Sequence, residues 1–495
     1  MGVRQVYVKE RSAFTIADFA SKIGVDEERA SGYIDVLASR GVLRWRFGSE
    51  RDEFDSESPA SFAGKYQFVY VGLVVIEDLI IVVYPKYMDS RRFLGNTLDD
   101  AAHKDLQQLF YVLRKSAGSY SDIVSLAEGA RKFNDRIAWM LMLMEMYDEH
   151  GIYSNYVRIF KNNGTGDISW ERTITARQAF IDGETPVYFD LETIASTRDD
   201  ADFIMRLHKC VLTECSDYMK ATGLLRLLSL DEIELSDEKL EDLGGKDYIL
   251  YRLDQERGTQ FVTWKQDVLD LLIHYVEGDE SDVSVDEVVC LGSTAFYNVW
   301  EKACKIAFGD LLDKRLDRVG IALAGKWADL GNQTMMDIVP SPKWFRFVEG
   351  EMRGCNDVAT LKPDTVAVWD CSDGKAFVIL DAKYYTPRLD AIPQGVPGVE
   401  AVVKQVLYQR SYKDFVSDHG FSRVVNAFLV PCEGDGFTLL GHVDFPDIFE
   451  RVQPPFVDGV DMWLLPARRI WQCYLNGKTL SESELDLLLD AALRC

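Results

Sequence analysis

Asp364, Asp381 and Lys383 are the residues of this 495-residue chain whose types and spacing most directly suggest chemistry. Asp364 heads the run Lys362-Pro363-Asp364-Thr365-Val366-Ala367-Val368-Trp369, and Asp381 and Lys383 close the run Ala376-Phe377-Val378-Ile379-Leu380-Asp381-Ala382-Lys383-Tyr384-Tyr385. The polar stretch 370–375 between them carries an Asp-Gly step, so the two runs are expected to form adjacent antiparallel strands. An even loop then sets Asp364 opposite Asp381 or Lys383, and the latter two already share a face because they are two residues apart. Cross-strand Cβ separations of roughly 4.5–5.5 Å let two carboxylates grip one hard divalent cation, which offsets their repulsion. A lysine beside them stabilises charge developing on a reacting group, or acts as a base if its pKa is depressed. Phe377 to Leu380 is unbroken apolar sequence, as in a strand covered on both faces, and charges ending such a strand are costly unless paired or metal-bound. An ordinary Asp-Lys ion pair at a strand end fits the same residues, and the residues alone leave both readings open.

The elements around this hairpin offer further candidates. Residues 292–308 have apolar positions Phe296, Val299, Trp300, Ala303, Ile306 and Ala307 at helical spacing, with Glu301 interrupting that face. Pairing of Glu301 with Lys305 at i+4 would be worth only about 0.2–0.5 kcal/mol. Residues 398–416 predict another helix, with Gln405 uncharged on the side facing the preceding strand. Arg410 and Lys413 there either meet phosphate or are simply solvated. Residues 424–431 and 437–443 continue the sheet, and a helix over 481–493 caps it. His208, Cys210 and Cys215 fall in a helical stretch, 201–220, where they read as core residues rather than zinc ligands.

A chain of this length with 47% hydrophobic residues is globular and holds about two to four domains. Its nine cysteines include no Cys-x-x-Cys pair, so reduced thiols and a cytoplasmic location are expected. The first residues carry no apolar signal region, no apolar run is long enough to span a bilayer, and no membrane association is expected. A net charge of −25 argues against a protein that coats DNA, while leaving room for local basic surface. Residues 1–50 read as helix, turn, helix and strand, the pattern of a winged helix-turn-helix, with Asp26 capping the second helix. Residues 62–280 combine an apolar hairpin, 66–87, with helices at 99–116, 122–128 and 135–153, and serve partner docking or DNA recognition. Within them, Gly166-Asp167-Ile168-Ser169-Trp170 reads as a turn leading into a strand. Residues 285–495 form the domain that holds the carboxylates. The fold class is thus multidomain α/β (α+β).

Pro363-Asp364 followed, after a hairpin-length gap, by Asp381-Ala382-Lys383 resembles the core motif of the PD-(D/E)xK nuclease superfamily. Phe296-x-x-Val299-Trp300-Glu301, the Gly166-Asp167-Ile168-x-Trp170 string and Tyr84-Pro85-Lys86-Tyr87 are similar to segments of the LlaJI and McrC type restriction nucleases. The resemblance implies a restriction-endonuclease-like α/β core in the C-terminal domain and metal-dependent cleavage of DNA in restriction or phage defence. It assigns Mg²⁺, with Mn²⁺ able to substitute, to Asp364, Asp381, the Ala382 carbonyl and Glu301. Lys383 orients water and stabilises charge, and Gln405 joins the site from its helix; the superfamily often has Gln-x-x-x-Tyr there, whereas Gln405 and Gln409 each have tyrosine at i+3. Implied partners are double-stranded DNA and a separate AAA+ GTPase or other NTPase subunit of the McrB kind, in a dimer or larger assembly of a prokaryotic cytoplasm. The rival readings are a catalytically silent scaffold and a winged-helix DNA-binding regulator.

Overall fold

The computed structural model describes residues 4–47, 63–77, 79–93, 98–118, 136–198, 202–278, 288–348, 351–355, 360–445, 448 and 451–492. The chain divides into two compact units, Met1–Arg131 with Val288–Cys495, and Lys132–Glu287. Mixed helices and sheets build both.

The first unit opens with β1 (Arg4–Lys9) and β2 (Ala13–Phe14), followed by α1 (Ile16–Ile23) and α2 (Glu27–Ser39). Thr15 and Asp18 form a capping box at the start of α1, and Gly24 ends it in the left-handed region at φ 70°. The Asp26 side chain accepts the Arg29 N–H and caps α2 as expected. β3 (Leu43–Trp45), β4 (Tyr66–Phe68), β5 (Val71–Ile76) and β6 (Leu79–Tyr84) follow. The expected hairpin is formed by β5 and β6, while β4 leaves it to pair with β2 and β3 in a three-stranded sheet. α3 (Asp100–Ala117) comes next; the helix expected over 122–128 lies outside the described residues.

Two strands not expected from the sequence flank that hairpin. β1 lies parallel to β6, and β12 (Val288–Ser293) lies antiparallel to β5, giving the sheet order β1-β6-β5-β12. The helix expected from Gly292 therefore begins only at Phe296, because Val288 to Leu291 are buried in the sheet. Gly72 and Gly292 face each other in the register. A Cβ on Gly72 would meet the Leu291 carbonyl oxygen at 2.3 Å, and one on Gly292 would meet that of Val71 at 2.2 Å, so the crossing admits only glycine. Phe19, Tyr33, Ile34 and Leu37 of the N-terminal helices share one core with Val74, Ile76 and Ile81 of this sheet. The contacts thus join residues 1–50, the hairpin and the C-terminal region in one unit, where the sequence suggested separate segments.

The second unit contains α4 (Arg136–His150), β7 (Tyr156–Asn162), β8 (Asp167–Ile168), α5 (Trp170–Ala176), β9 (Phe180–Asp182), β10 (Thr185–Val187), β11 (Glu192–Arg198), α6 (Phe203–Ala221), α7 (Lys246–Thr259) and α8 (Thr263–Glu277). β11 pairs with both β7 and β8. The Gly166-Asp167-Ile168 turn reaches β8 as expected, but Trp170 to Ala176 turn helical where a strand was read. The Thr173 hydroxyl on α5 accepts the Glu192 N–H and ties the helix to β11. His208, fully buried on α6, accepts the Tyr153 N–H through Nδ1, and burial lowers its pKa to about 3.

In the C-terminal part of the first unit, α9 (Phe296–Phe308) precedes the ribbon β13 (Phe345–Val348) and β14 (Glu351–Gly354). Then come β15 (Thr365–Cys371), β16 (Gly374–Ala382), α10 (Val399–Ser411), β17 (Arg423–Cys432), β18 (Thr438–Val443), β19 (Val460–Pro466), α11 (Ala467–Asn476) and α12 (Glu482–Ala492). The strands order β15-β16-β17-β19-β18, with β16, β17 and β19 parallel and an antiparallel strand at each edge. Helices cover both faces. Trp369 donates from Nε1 to the Phe308 carbonyl on α9, whereas Val366, on the alternate face, shares a core with Tyr408 and Tyr412 of α10. No helix among the described residues is long and apolar enough to cross a membrane.

Candidate active site

The β15-β16 register pairs Thr365 with Leu380, so the next step outward sets Asp364 opposite Asp381. Covered on both faces, β16 carries its apolar run into the core and brings its charges to the sheet's end, where Asp381 remains buried. The Asp364 Oδ2 accepts the Ala382 N–H at 2.9 Å, and the Lys383 Nζ lies 2.7 Å from the Asp381 Oδ2. Lys383 also donates its backbone N–H to the Leu429 carbonyl at 2.9 Å, and the same carbonyl accepts the indole N–H of fully buried Trp300 at 3.1 Å. One oxygen of β17 thereby fixes both the lysine's backbone and the helix that carries Glu301.

Burial, then the neighbouring Asp381 carboxylate and then Glu301, hold the Asp364 carboxyl well above the ordinary carboxylate range. Glu301 is near enough to act on Asp364, yet its Oε1 lies 2.5 Å from the Lys305 Nζ, the i+4 pair. Lys305 is raised: burial favours its neutral form, but Glu301, Asp364 and Asp310 outweigh it. Gln405 is fully buried on α10, and its hydrogen bonds run to β17. Its Nε2 donates to the Ala427 carbonyl at 3.4 Å, and its backbone carbonyl accepts from the Asn426 Nδ2 at 3.3 Å.

The structure therefore brings Asp364, Asp381, Ala382 and Lys383 together, adds Glu301 at their edge in an ion pair, and seats Gln405 beneath the parallel strands. Two further residues belong to this neighbourhood. Tyr408 has its pKa raised by burial and then by Asp381 and Asp364, and its hydroxyl donates to the Lys362 carbonyl at 2.9 Å. Cys304, fully buried one turn beyond Glu301, has its thiol pushed up by burial and then by Asp364 and Glu301. The i+3 spacings of Gln405 to Tyr408 and of Glu301 to Cys304 are the sequence signals for both.

Two opposed, largely buried carboxylates supply hard oxygen donors of the kind a divalent cation takes, and such a cation would relieve both the burial and the repulsion that raise the Asp364 pKa. Among the described residues, no three or more His, Cys, Asp or Glu side chains are grouped so as to hold a metal ion. The third carboxylate, Glu301, would have to leave Lys305 to join.

The segment after the lysine is anchored by a buried acid from the far end of the chain. Glu10 accepts the Tyr384 hydroxyl at 2.6 Å and the Lys86 N–H at 3.1 Å, and the Lys86 Nζ lies 4.8 Å from the centre of the Tyr384 ring. Tyr384→Phe removes one of these bonds to a buried carboxylate. It is expected to lower unfolding stability by about 1.5–3 kcal/mol, read as a lower midpoint in urea at unchanged slope.

A family model described as LlaJI restriction endonuclease matches residues 70–457. The type II restriction enzyme BsuMI component YdjA of Bacillus subtilis (strain 168) is 24% identical over 464 residues, covering 92% of this chain and 87% of that protein. Among solved structures, a half-complex from a tetradecameric assembly of Thermococcus gammatolerans McrB AAA+ hexamers with bound McrC aligns over 95% of this chain and 99% of that one. The identity there is 12% and the TM-score 0.34, too low to carry an argument about fold.

Proposed function

The chain belongs to the LlaJI restriction endonuclease family, and from that premise we propose that it is a metal-dependent DNA endonuclease whose reacting centre is the Asp364-Asp381-Lys383 cluster. The observation that carries the reading is the convergence of two buried carboxylates and a lysine at the end of a covered sheet. Asp364 and Asp381 would hold Mg²⁺, and the Ala382 carbonyl and Glu301 would be its further ligands. The bound cation supplies Lewis-acid polarisation of the scissile phosphodiester. Lys383 then leaves Asp381 for the phosphate, orients the attacking water and stabilises the developing negative charge. Tyr408 braces the Lys362 carbonyl two residues before Asp364. The five-stranded sheet with helices on both faces supports reading this region as a PD-(D/E)xK core. The α1-α2 pair with its three-stranded sheet supports reading the N-terminus as a winged helix.

A separate NTPase subunit of the AAA+ kind completes the proposal. The second unit supports a docking role, since it exposes Trp170, Ile174, Phe180, Ile181 and Phe189. Placing aspartate at both Trp170 and Phe180 should weaken binding of the NTPase by about tenfold or more in calorimetry, with the circular dichroism spectrum unchanged.

The test is cleavage of plasmid and phage DNA by the purified chain in Mg²⁺ or EDTA, with and without an NTPase encoded beside it. Mg²⁺-dependent cuts that require or are accelerated by the NTPase are expected. Full-rate cutting at specific sites without any NTPase would remove the partner from the proposal. Tight DNA binding with no cleavage under any condition would replace the enzyme by a DNA-binding regulator.

A further inference from the structure

The ribbon β13-β14 forms a two-stranded sheet of its own. A lone hairpin of this length is marginally stable in water, so exposed apolar side chains on it call for a partner surface. The register pairs Arg346 with Arg353 and Phe347 with Met352. Alternation then sets both arginines on one face, and Phe345, Phe347 and Met352 on the other. Both faces are open to solvent: Phe347 is 77% exposed, Met352 63%, and Trp344 at the base 61%. Directly opposed like charges weaken a strand pair, and the ion pair Arg353 makes among the described residues is a long one, 3.9 Å to the Glu351 carboxylate on the same strand. Such a pair of arginines suits a polyanion, as a local basic site in a chain whose net charge is −25.

Short tethers tie the ribbon's base, four residues after Pro340, to the chain that leads into Asp364. Cys355 donates its N–H to the Trp344 carbonyl at 2.8 Å, closing the base, and Thr360 donates its hydroxyl to the Pro340 carbonyl at 2.7 Å. Thr360 precedes Asp364 by four residues, a reach of at most about 14 Å. The major groove of DNA is about 12 Å wide and admits a two-stranded β-ribbon.

We propose that β13-β14 enters the major groove of the duplex DNA substrate with its Arg346-Arg353 face toward the bases, the two guanidiniums on guanine edges and phosphates. This rests on the endonuclease reading above, and it makes the ribbon a determinant of where the enzyme cuts. Arginine is the side chain whose planar fork matches the guanine O6 and N7 acceptors.

The experiment measures binding of a labelled mixed-sequence duplex to the full chain in EDTA, by anisotropy across a salt series, and protection of guanine N7 from dimethyl sulfate. Arg346→Ala with Arg353→Ala should weaken binding by about tenfold or more, lower the salt slope by about two and abolish N7 protection. Arg318→Ala, an exposed arginine outside the ribbon, serves as the charge control and should leave all three readouts near wild type. Phe347→Ser, on the opposite face, keeps both arginines and should leave the salt slope and N7 protection near wild type. Unchanged affinity and N7 protection in the double arginine variant, with wild type still cutting DNA, would overturn the ribbon proposal and spare the endonuclease reading. Lost NTPase binding with DNA binding intact would overturn it in favour of a protein interface. A wild-type chain that neither binds nor cuts duplex DNA in Mg²⁺ would overturn both.

Discussion

Asp381→Ala is expected to lower Mg²⁺-dependent cleavage by about a thousandfold or more while leaving DNA binding within a few fold of wild type. Asp381 sits opposite Asp364 and contacts Lys383, so its removal takes away one of two buried carboxylates and the anchor of the lysine at once. Polarisation by a bound metal is worth several kcal/mol at the transition state, and each 1.36 kcal/mol is tenfold in rate. Lys383→Ala acts on the other component. It should cost about 10²–10³ in kcat, as loss of one preorganised charge stabiliser does, with KM for DNA little changed. Single-turnover cleavage of a supercoiled plasmid separates the two parameters. Equal cleavage by wild type and Asp381→Ala would place the chemistry elsewhere. Loss in Asp381→Ala but full rate in Lys383→Ala would keep the metal pair and discard the lysine's role.

What the sequence made legible was local. Asp364 could be set against Asp381 without coordinates because side chains alternate along a strand and the short even loop of the hairpin sets the register. The capping of α1 and α2 and the Glu301-Lys305 pair were legible for a similar reason, since each lies within a few residues of chain. β1 and β12 were not. Their partners lie far along the sequence, β1 pairs in parallel with β6, and the apolar residues before Gly292 are too few to separate a strand from a helix start by periodicity. Trp170 to Ala176 misled because Trp, Thr and Ile favour strands in general, whereas here Thr173 fixes a helical turn against β11. The site shows the same division. Asp364, Asp381 and Lys383 come from one hairpin, while the effect of Tyr408 on that centre and the anchoring of Tyr384 by Glu10 depend on contacts that no local pattern encodes.

Asp364→Asn should abolish cleavage and yet raise the melting temperature of the metal-free protein at pH 8. Burial, Asp381 and Glu301 together favour the protonated Asp364 in the folded state, whereas the unfolded chain releases that proton near pH 3.8. Between those two values the folded state binds more protons than the unfolded one, so this group makes stability fall as pH rises, and the loss is complete above the folded value. Metal-free wild type should therefore melt progressively lower from pH 5 to pH 8 through this contribution. The amide introduced by Asp364→Asn has no charge to desolvate and should flatten that dependence, with each kcal/mol recovered raising the melting temperature by about 1–1.5 °C. Mg²⁺ adds the opposite effect. It binds the folded pair at pH 8 and should raise the wild-type melting temperature in a concentration-dependent way, with a much smaller rise in Asp364→Asn. Calorimetry of both proteins in EDTA and in Mg²⁺ gives four numbers, and none depends on cleavage. A lower melting temperature for Asp364→Asn in EDTA at pH 8 would mean that Asp364 is stabilising as an anion, held by the Ala382 N–H rather than strained by Asp381. Equal Mg²⁺ shifts in the two proteins would place the cation at a different site.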